Sequence, residues 1–167
     1  VAVIKNESNF GFSKASNLGV RWSHGEYLMF LNSDTQVKDR ALDMLVSYLE
    51  THTDVGIVGP RLIFPDGRFQ LSAGELPGIW QEWKDRRLHR RNRAGHKKLQ
   101  AHVASVSRSP QEVGWVTGSC LLIRRALFDA LGGFDENLFM YFEDKDLCKR
   151  AAALGVKIVY YPEAEVI

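Results

Sequence analysis

Tyr27-Leu28-Met29-Phe30-Leu31-Asn32-Ser33-Asp34-Thr35 joins five consecutive apolar residues to four polar ones. An unbroken apolar run of this length suits a central strand buried on both faces and is too short for a helix. It stops at Asn32, which puts the polar quartet at the carboxyl end of a buried strand, where open α/β sheets build their ligand sites.

Upstream, Val1 to Lys5 reads as a short strand already under way, since Val1 is not a start methionine. Ala15 to Ser23 carries Ala15, Leu18 and Trp22 at helical spacing. Downstream, Asp39 to Thr51 places Leu42, Leu45, Val46 and Leu49 on one helical face, with Asp39 as the expected cap. Gly56 to Gly59 reads as a second buried strand, and Pro65-Asp66-Gly67 as the turn of a hairpin between Leu62-Ile63-Phe64 and Phe69-Gln70-Leu71. Residues 74–112 lose apolar periodicity and are expected to form a surface excursion. Val113 to Ile123 then reads as one strand, Arg125 to Leu131 as a helix, Glu143 to Leu154 as a helix closed by Gly155, and Val156 to Tyr160 as a strand. Helices alternating with buried strands over 167 residues predict one α/β domain spanning 1–167.

Composition excludes the extremes. With 45% hydrophobic and 25% charged residues the chain reads as globular. It holds no apolar run long enough to span a bilayer, and a cytoplasmic setting is expected. Cys120 and Cys148 lack partners at metal-ligand spacing and read as buried free thiols. Charge is uneven: Lys84 to Lys98 holds eight Lys or Arg against Asp85 alone, leaving 14 basic and 19 acidic residues elsewhere. That asymmetry points to an anionic partner for one surface.

Two acidic constellations carry chemistry. Asp34 at the strand end is a candidate ligand for a hard divalent cation such as Mg2+ or Mn2+, which keeps several waters and takes phosphate oxygens, so that one or two carboxylates suffice. The competing reading is a carboxylate that caps a turn or the next helix. In Phe142-Glu143-Asp144-Lys145-Asp146, three acids open a helix, and the dipole accounts for one or two of them. The aromatic surround of Phe139, Tyr141 and Phe142 is expected to desolvate a neighbouring carboxylate and strengthen it as a base.

Asn9-Phe10-Gly11-Phe12, Asn17-Leu18-Gly19, Tyr27 to Thr35, Val58-Gly59-Pro60-Arg61, Pro65-Asp66-Gly67, Gly114-Trp115-Val116-Thr117-Gly118, and Gly132-Gly133-Phe134-Asp135-Glu136 through Phe142 to Cys148 follow one another in an order that resembles family 2 glycosyltransferases. The likeness is to the bacterial rhamnosyltransferase-like branch and covers nearly all of the chain outside 74–112. It implies a GT-A fold, a Rossmann-like mixed sheet flanked by helices, here lacking its first strands. It also implies an inverting transfer from a nucleotide-diphosphate sugar, with dTDP-rhamnose as the first guess, to a glycan or polyprenyl-diphosphate-linked acceptor in cell-surface polysaccharide synthesis.

Residue by residue, the resemblance implies that Asp34 binds the metal, with Asn32 standing where the family's usual form has Asp. Asp144 would be the general base and Glu143 would orient it or the acceptor. Trp115, Thr117 and Gly118 would line the donor sugar and acceptor, with Gly118 admitting a close backbone approach. Gly11 and Asn17 would lie beside the nucleotide. Two departures stand out: no base-binding strand precedes Val1, and no His follows within the chain as a further metal or phosphate contact. On that ground the 167 residues alone are expected to be inactive, and exposed sheet edges to invite pairing into homo-oligomers.

None of His24, His52, His89, His96 or His102 sits in a motif beside a nucleophile, consistent with a single displacement. Two-carboxylate glycoside hydrolysis is the nearest rival chemistry, and a non-catalytic sugar-nucleotide or glycan-binding module is the alternative from another class. The run Ile79-Trp80-Gln81-Glu82-Trp83 into the basic cluster suits an anionic membrane surface met through 79–98, or equally a solvated insertion whose Trp residues pack on the domain. No nucleic-acid motif accompanies the arginines.

Overall fold

The computed structural model describes residues 2–76 and 108–167, with Leu88, Arg90 and Arg91 between them. In chain order the elements are α1 (Gly11–Arg21), β1 (Tyr27–Leu31), α2 (Ala41–Thr51), β2 (Val55–Ile63), β3 (Phe69–Gln70), β4 (Ala73–Gly74), β5 (Gln111–Glu112), β6 (Trp115–Val116), β7 (Cys120–Arg124), α3 (Arg125–Ala130), α4 (Glu143–Ala153) and β8 (Lys157–Val166).

The main sheet runs β1-β7-β2-β8-β5, with β3 hairpinned onto β2. Among the described strands only β2 and β8 pair in parallel; β1 with β7, β7 with β2, and β5 with β8 are antiparallel. Successive side chains of a strand face opposite ways, and the apolar strands supply a core on each face of the sheet, with a smaller cluster of Leu62, Cys120 and Val166. Leu28, Phe30, Ile57, Leu121, Ile123 and Ile158 face a layer containing Phe128, Phe134, Leu147 and Ala151. Val58, Leu122 and Val159 face Ala41, Leu45 and Leu49 of α2 on the other side. Phe30, Phe128 and Phe134 lock the first layer, with ring centroids 4.7 to 5.4 Å apart.

Several expectations are corrected. Among the described residues β1 is an edge strand, paired to β7 alone; Leu28 and Phe30 are buried while Leu31 is exposed, and an apolar run alone does not distinguish this from a central place in the sheet. Ala2 to Lys5 form no strand, since a strand needs a ladder partner and this run has none among the described residues. The segment 113–123 is two strands, broken where Cys120 N–H turns back onto the Thr117 carbonyl at 3.4 Å. Asp39 does not cap α2: Arg40 holds the cap position in a left-handed conformation, and no side chain bonds there. β8 runs past Tyr160 to Val166, and β2 reaches from Val55 to Ile63.

The ends of the 74–112 stretch are built into sheets, with Ala73–Gly74 against Trp115–Val116 and Gln111–Glu112 against β8. Backbone pairing needs no apolar period. The surface excursion and the membrane-facing reading of 79–98 fall outside the described residues, apart from Leu88, Arg90 and Arg91. No helix among the described residues is long and apolar enough to cross a membrane. Cys120 and Cys148 are free and buried as expected, and burial pushes both thiols up to about 12.

Candidate active site

Antiparallel pairing of β1 with β7 sets Leu31 opposite Cys120. One step further, Asn32 N–H donates to the Ser119 carbonyl at 3.0 Å, so the end of β1 and the turn before β7 lie side by side. The chain beyond Asn32 is held at both sides of Asp34: the Thr35 hydroxyl donates to the Asn32 carbonyl at 2.7 Å, and Gln36 and Ile167 exchange backbone hydrogen bonds. Asp34 itself is exposed on this strap and makes no hydrogen bond or ion pair among the described residues.

The amino terminus of α4 meets the same turn. Asp144 Oδ2 accepts from Gly118 N–H at 2.8 Å, and Oδ1 accepts from Lys145 N–H at 2.7 Å. Each oxygen keeps a further lone pair for a substrate. Between these elements lies a cavity of about 580 Å³ lined by Asn32, Trp115, Thr117, Gly118, Glu143 and Asp144 among others. The two acidic constellations are therefore adjacent, with Asn32 lining the cavity and Asp34 two residues beyond it.

Glu143 is only 7% exposed, and its Oε2 has no partner among the described residues. Burial pushes its carboxyl above the ordinary range; a bond from its own backbone opposes this and the charge of Asp144 adds to it. The desolvated acid is thus Glu143, and the aromatics that were to bury it lie open: Phe139 is 55% and Tyr141 74% exposed. Tyr141 and Phe142 line the cavity instead, and Phe139 does not.

A raised carboxyl pKa means that the folded protein holds this proton more tightly than the unfolded chain. Stability is therefore fully supported below the unfolded value and lost as pH rises through the folded one. Glu143→Gln is expected to raise Tm at neutral pH, with the gain vanishing in acid below the ordinary glutamate range. Thermal melts of both proteins across that range check the sign, and an unchanged difference at all pH would refute it.

Gly118 is not forced by crowding, since a Cβ there would meet Asp144 and Phe12 at an ordinary 3.6 Å; its contribution is the N–H given to Asp144. Asn17 is committed to the protein: its amide donates to the Phe134 carbonyl at 2.9 Å and its oxygen accepts from Phe134 N–H at 2.9 Å. It clamps the Gly132-Gly133 turn to α1 and does not line the cavity. Gly11 is also outside the lining, at the start of α1, where φ is +76° and the next residue's N–H bonds the Phe139 carbonyl at 3.0 Å.

Sequence reasoning passed over Phe12, Gln70, Ser119 and Lys145, all of which line the cavity. Phe12 and Lys145 stood inside the quoted motifs, whereas Gln70 enters only through the β2–β3 hairpin. Of the three acids, Asp146 is structural: it pairs with Arg150 at 2.8 Å, whose guanidinium also bonds the carbonyls of Leu131 and Gly133.

Among the described residues no group of three or more His, Cys, Asp or Glu side chains converges as a metal cage. Asp34 alone suits Mg2+ or Mn2+, cations that retain waters and take phosphate oxygens instead of an all-protein shell.

Residues 1–132 match the family model described as Glycosyl transferase family 2. The chain belongs to this family. Among curated relatives of this family 2 chain, the N-acetylglucosaminyl-diphospho-decaprenol L-rhamnosyltransferase of Mycobacterium tuberculosis is 32% identical over 92% of the chain and 50% of the relative. Rhamnosyltransferase WbbL of Escherichia coli is 28% identical over 95% of the chain and 60% of the relative. The chain thus spans about half the length of the curated relatives it matches. The fold is of the GT-A type: a structure of GalNAc-T7 with UDP, GalNAc and Mn2+ superposes with a TM-score of 0.66 over 98% of the chain and 31% of that protein, at 15% identity.

Proposed function

We propose that this family 2 chain carries the catalytic side of an inverting transferase that moves a sugar from a nucleotide diphosphate, dTDP-rhamnose first, to a glycan or polyprenyl-diphosphate-linked acceptor in cell-surface polysaccharide synthesis. The carrying observation is Asp144, whose carboxylate is fixed by Gly118 and Lys145 N–H groups at the wall of a cavity large enough for a sugar. The rhamnosyltransferase names of the relatives support the donor, and the diphospho-decaprenol in one of them supports the acceptor class.

In this reading Asp144 takes the proton of an acceptor hydroxyl as its oxygen bonds to the anomeric carbon. The bond from that carbon to the diphosphate oxygen breaks on the opposite face, and the nucleoside diphosphate leaves with the electron pair. One displacement inverts the configuration and uses no enzyme nucleophile. The hydroxyls in the cavity fit this, since Thr117 and Ser119 lie 3.4 Å from each other and bond to no general base. Glu143, buried with an unpartnered oxygen, orients the acceptor. Mg2+ or Mn2+ held by Asp34 and the donor phosphates would supply neutralisation of the charge that grows on the leaving diphosphate.

The test is release of nucleoside diphosphate from a panel of nucleotide sugars, with and without Mg2+ or Mn2+, by the wild type and by Asp34→Ala. Metal-dependent release that Asp34→Ala lowers by about 100-fold or more is expected. Donor binding without turnover would replace this reading with a sugar-nucleotide-binding module.

A further inference from the structure

Leu138-Phe139-Met140-Tyr141-Phe142 is a run of five apolar residues directly before α4, and its last four lie open. Phe139 is 55%, Met140 50%, Tyr141 74% and Phe142 40% exposed. A single exposed apolar side chain needs no explanation, but a contiguous patch of them marks a binding surface. Met140, Tyr141 and Phe142 line the cavity that holds Asp144. Phe139 lies outside that lining, against Gly11, so the patch continues beyond the cavity.

The backbone beneath the patch is strained. Tyr141 and Phe142 have φ of 69° and 72°, a left-handed conformation that is unfavourable for any residue with a Cβ and an outlier for bulky ones. Gly or Asn would make the same turn at lower cost, and Tyr141, the most exposed of the four, gains little burial in return. Strain held in the wall of a cavity that carries a candidate base points to function and not to folding.

The occupant follows from the chemistry of the two parts. The lining joins the acids and hydroxyls already described to this apolar run. A glycan carries hydroxyls all round its rings, and the side chains from Leu138 to Phe142 offer it one polar group, the Tyr141 hydroxyl. A molecule with a polar head and a long apolar tail matches both parts, with its head beside Asp144 and its tail along the run.

We propose that Phe139, Met140, Tyr141 and Phe142 seat the hydrocarbon chain of a lipid-linked acceptor. Of the two acceptor classes in the function proposed above this selects the lipid-linked one, and to that extent the inference rests on that reading. Affinity then grows with chain length, because each further length of chain laid on the run is taken out of water.

Calorimetric titration with methyl, geranyl and farnesyl diphosphate, below micelle formation and in Mg2+, tests this on wild type, Tyr141→Asn and Met140→Ser. Tyr141→Asn is expected to melt no lower than wild type, since Asn tolerates left-handed backbone; Met140→Ser probes the run at a residue without positive φ. Wild-type affinity is expected to rise about threefold or more from geranyl to farnesyl, the effect of burying part of one isoprene unit. Both variants should lose most of that rise and keep the affinity for methyl diphosphate. Equal binding of the three compounds by wild type, no binding of any, or a rise that both variants retain overturns the proposal. So does a dimer in sedimentation that Tyr141→Asn abolishes, which would assign the run to a second copy of the chain. Chain-length-dependent binding by a protein that transfers no sugar leaves the lipid seat standing and counts against the transferase reading alone.

Discussion

Asp144→Asn is expected to lower the transfer rate by about 100- to 10,000-fold, the usual contribution of a positioned general base, while donor affinity stays near wild type. The substitution keeps the shape of the side chain and removes its capacity to take a proton. It also has a structural cost that follows from the geometry. Both carboxylate oxygens accept backbone N–H groups, from Gly118 at 2.8 Å and from Lys145 at 2.7 Å. An amide has one oxygen, so its NH2 must face one of those donors. A lost bond to a charged acceptor is worth roughly 1.5–3 kcal/mol, and a fall in Tm should accompany the loss of rate. Glu143→Gln is the control: it sits beside Asp144, gains stability at neutral pH, and should lose less activity. Single-turnover rates with saturating donor separate chemistry from binding. If Asp144→Asn turns over within about fivefold of wild type, another group takes the proton and the assignment fails.

The elements of the fold were largely legible because each is short, apolar on its buried positions and closed by a turn residue. The β2–β3 hairpin was readable from Pro65-Asp66-Gly67, and pairs Leu62 with Gln70 and Ile63 with Phe69. Sheet order was not readable. Whether Tyr27 to Leu31 is central or at an edge depends on partners nearly a hundred residues away, and β7, its partner, begins at Cys120. The break before β7 was hidden for a related reason: the three non-apolar residues Thr117, Gly118 and Ser119 that make the turn are flanked by apolar residues on both sides, and a break this short reads as part of one strand.

The same contrast holds at the site. Motif order brought Asp34, Asn32, Glu143 and Asp144 into one hypothesis, and the antiparallel register of β1 and β7 together with the docking of α4 places the last three around one cavity. What escaped was which acid is desolvated. Phe139, Tyr141 and Phe142 are adjacent in sequence to the acidic pair, but adjacency along a chain does not fix the direction of a side chain. Tyr141 and Phe142 both adopt positive φ, 69° and 72°, and their exposed rings line the cavity while Glu143 is buried.

That loop gives Gly11→Ala a large expected structural effect. Gly11 has φ +76°, and a Cβ on it would lie 2.2 Å from the Phe139 carbonyl oxygen and 2.8 Å from the Phe139 ring. Left-handed backbone costs a non-glycine residue about 1–2 kcal/mol. Relief of the clash requires moving main chain, since the blocking atom is a carbonyl that also accepts Phe12 N–H at 3.0 Å. A total loss of about 2–4 kcal/mol is expected. Gly67→Ala isolates the first component, because Gly67 has φ +79° with nothing within 4 Å of the added Cβ; it should cost only about 1–2 kcal/mol. The two variants should also part in function. Displacing Phe139 pulls on Tyr141 and Phe142, and through them on the first turn of α4 that holds Glu143, Asp144 and Lys145. Gly11→Ala is therefore expected to slow transfer even at temperatures where it remains folded, while Gly67→Ala leaves it unchanged. Equal denaturation midpoints for the two would mean that α1 and the 139–142 loop are not coupled through this contact, and that Phe12 reaches the cavity wall without it.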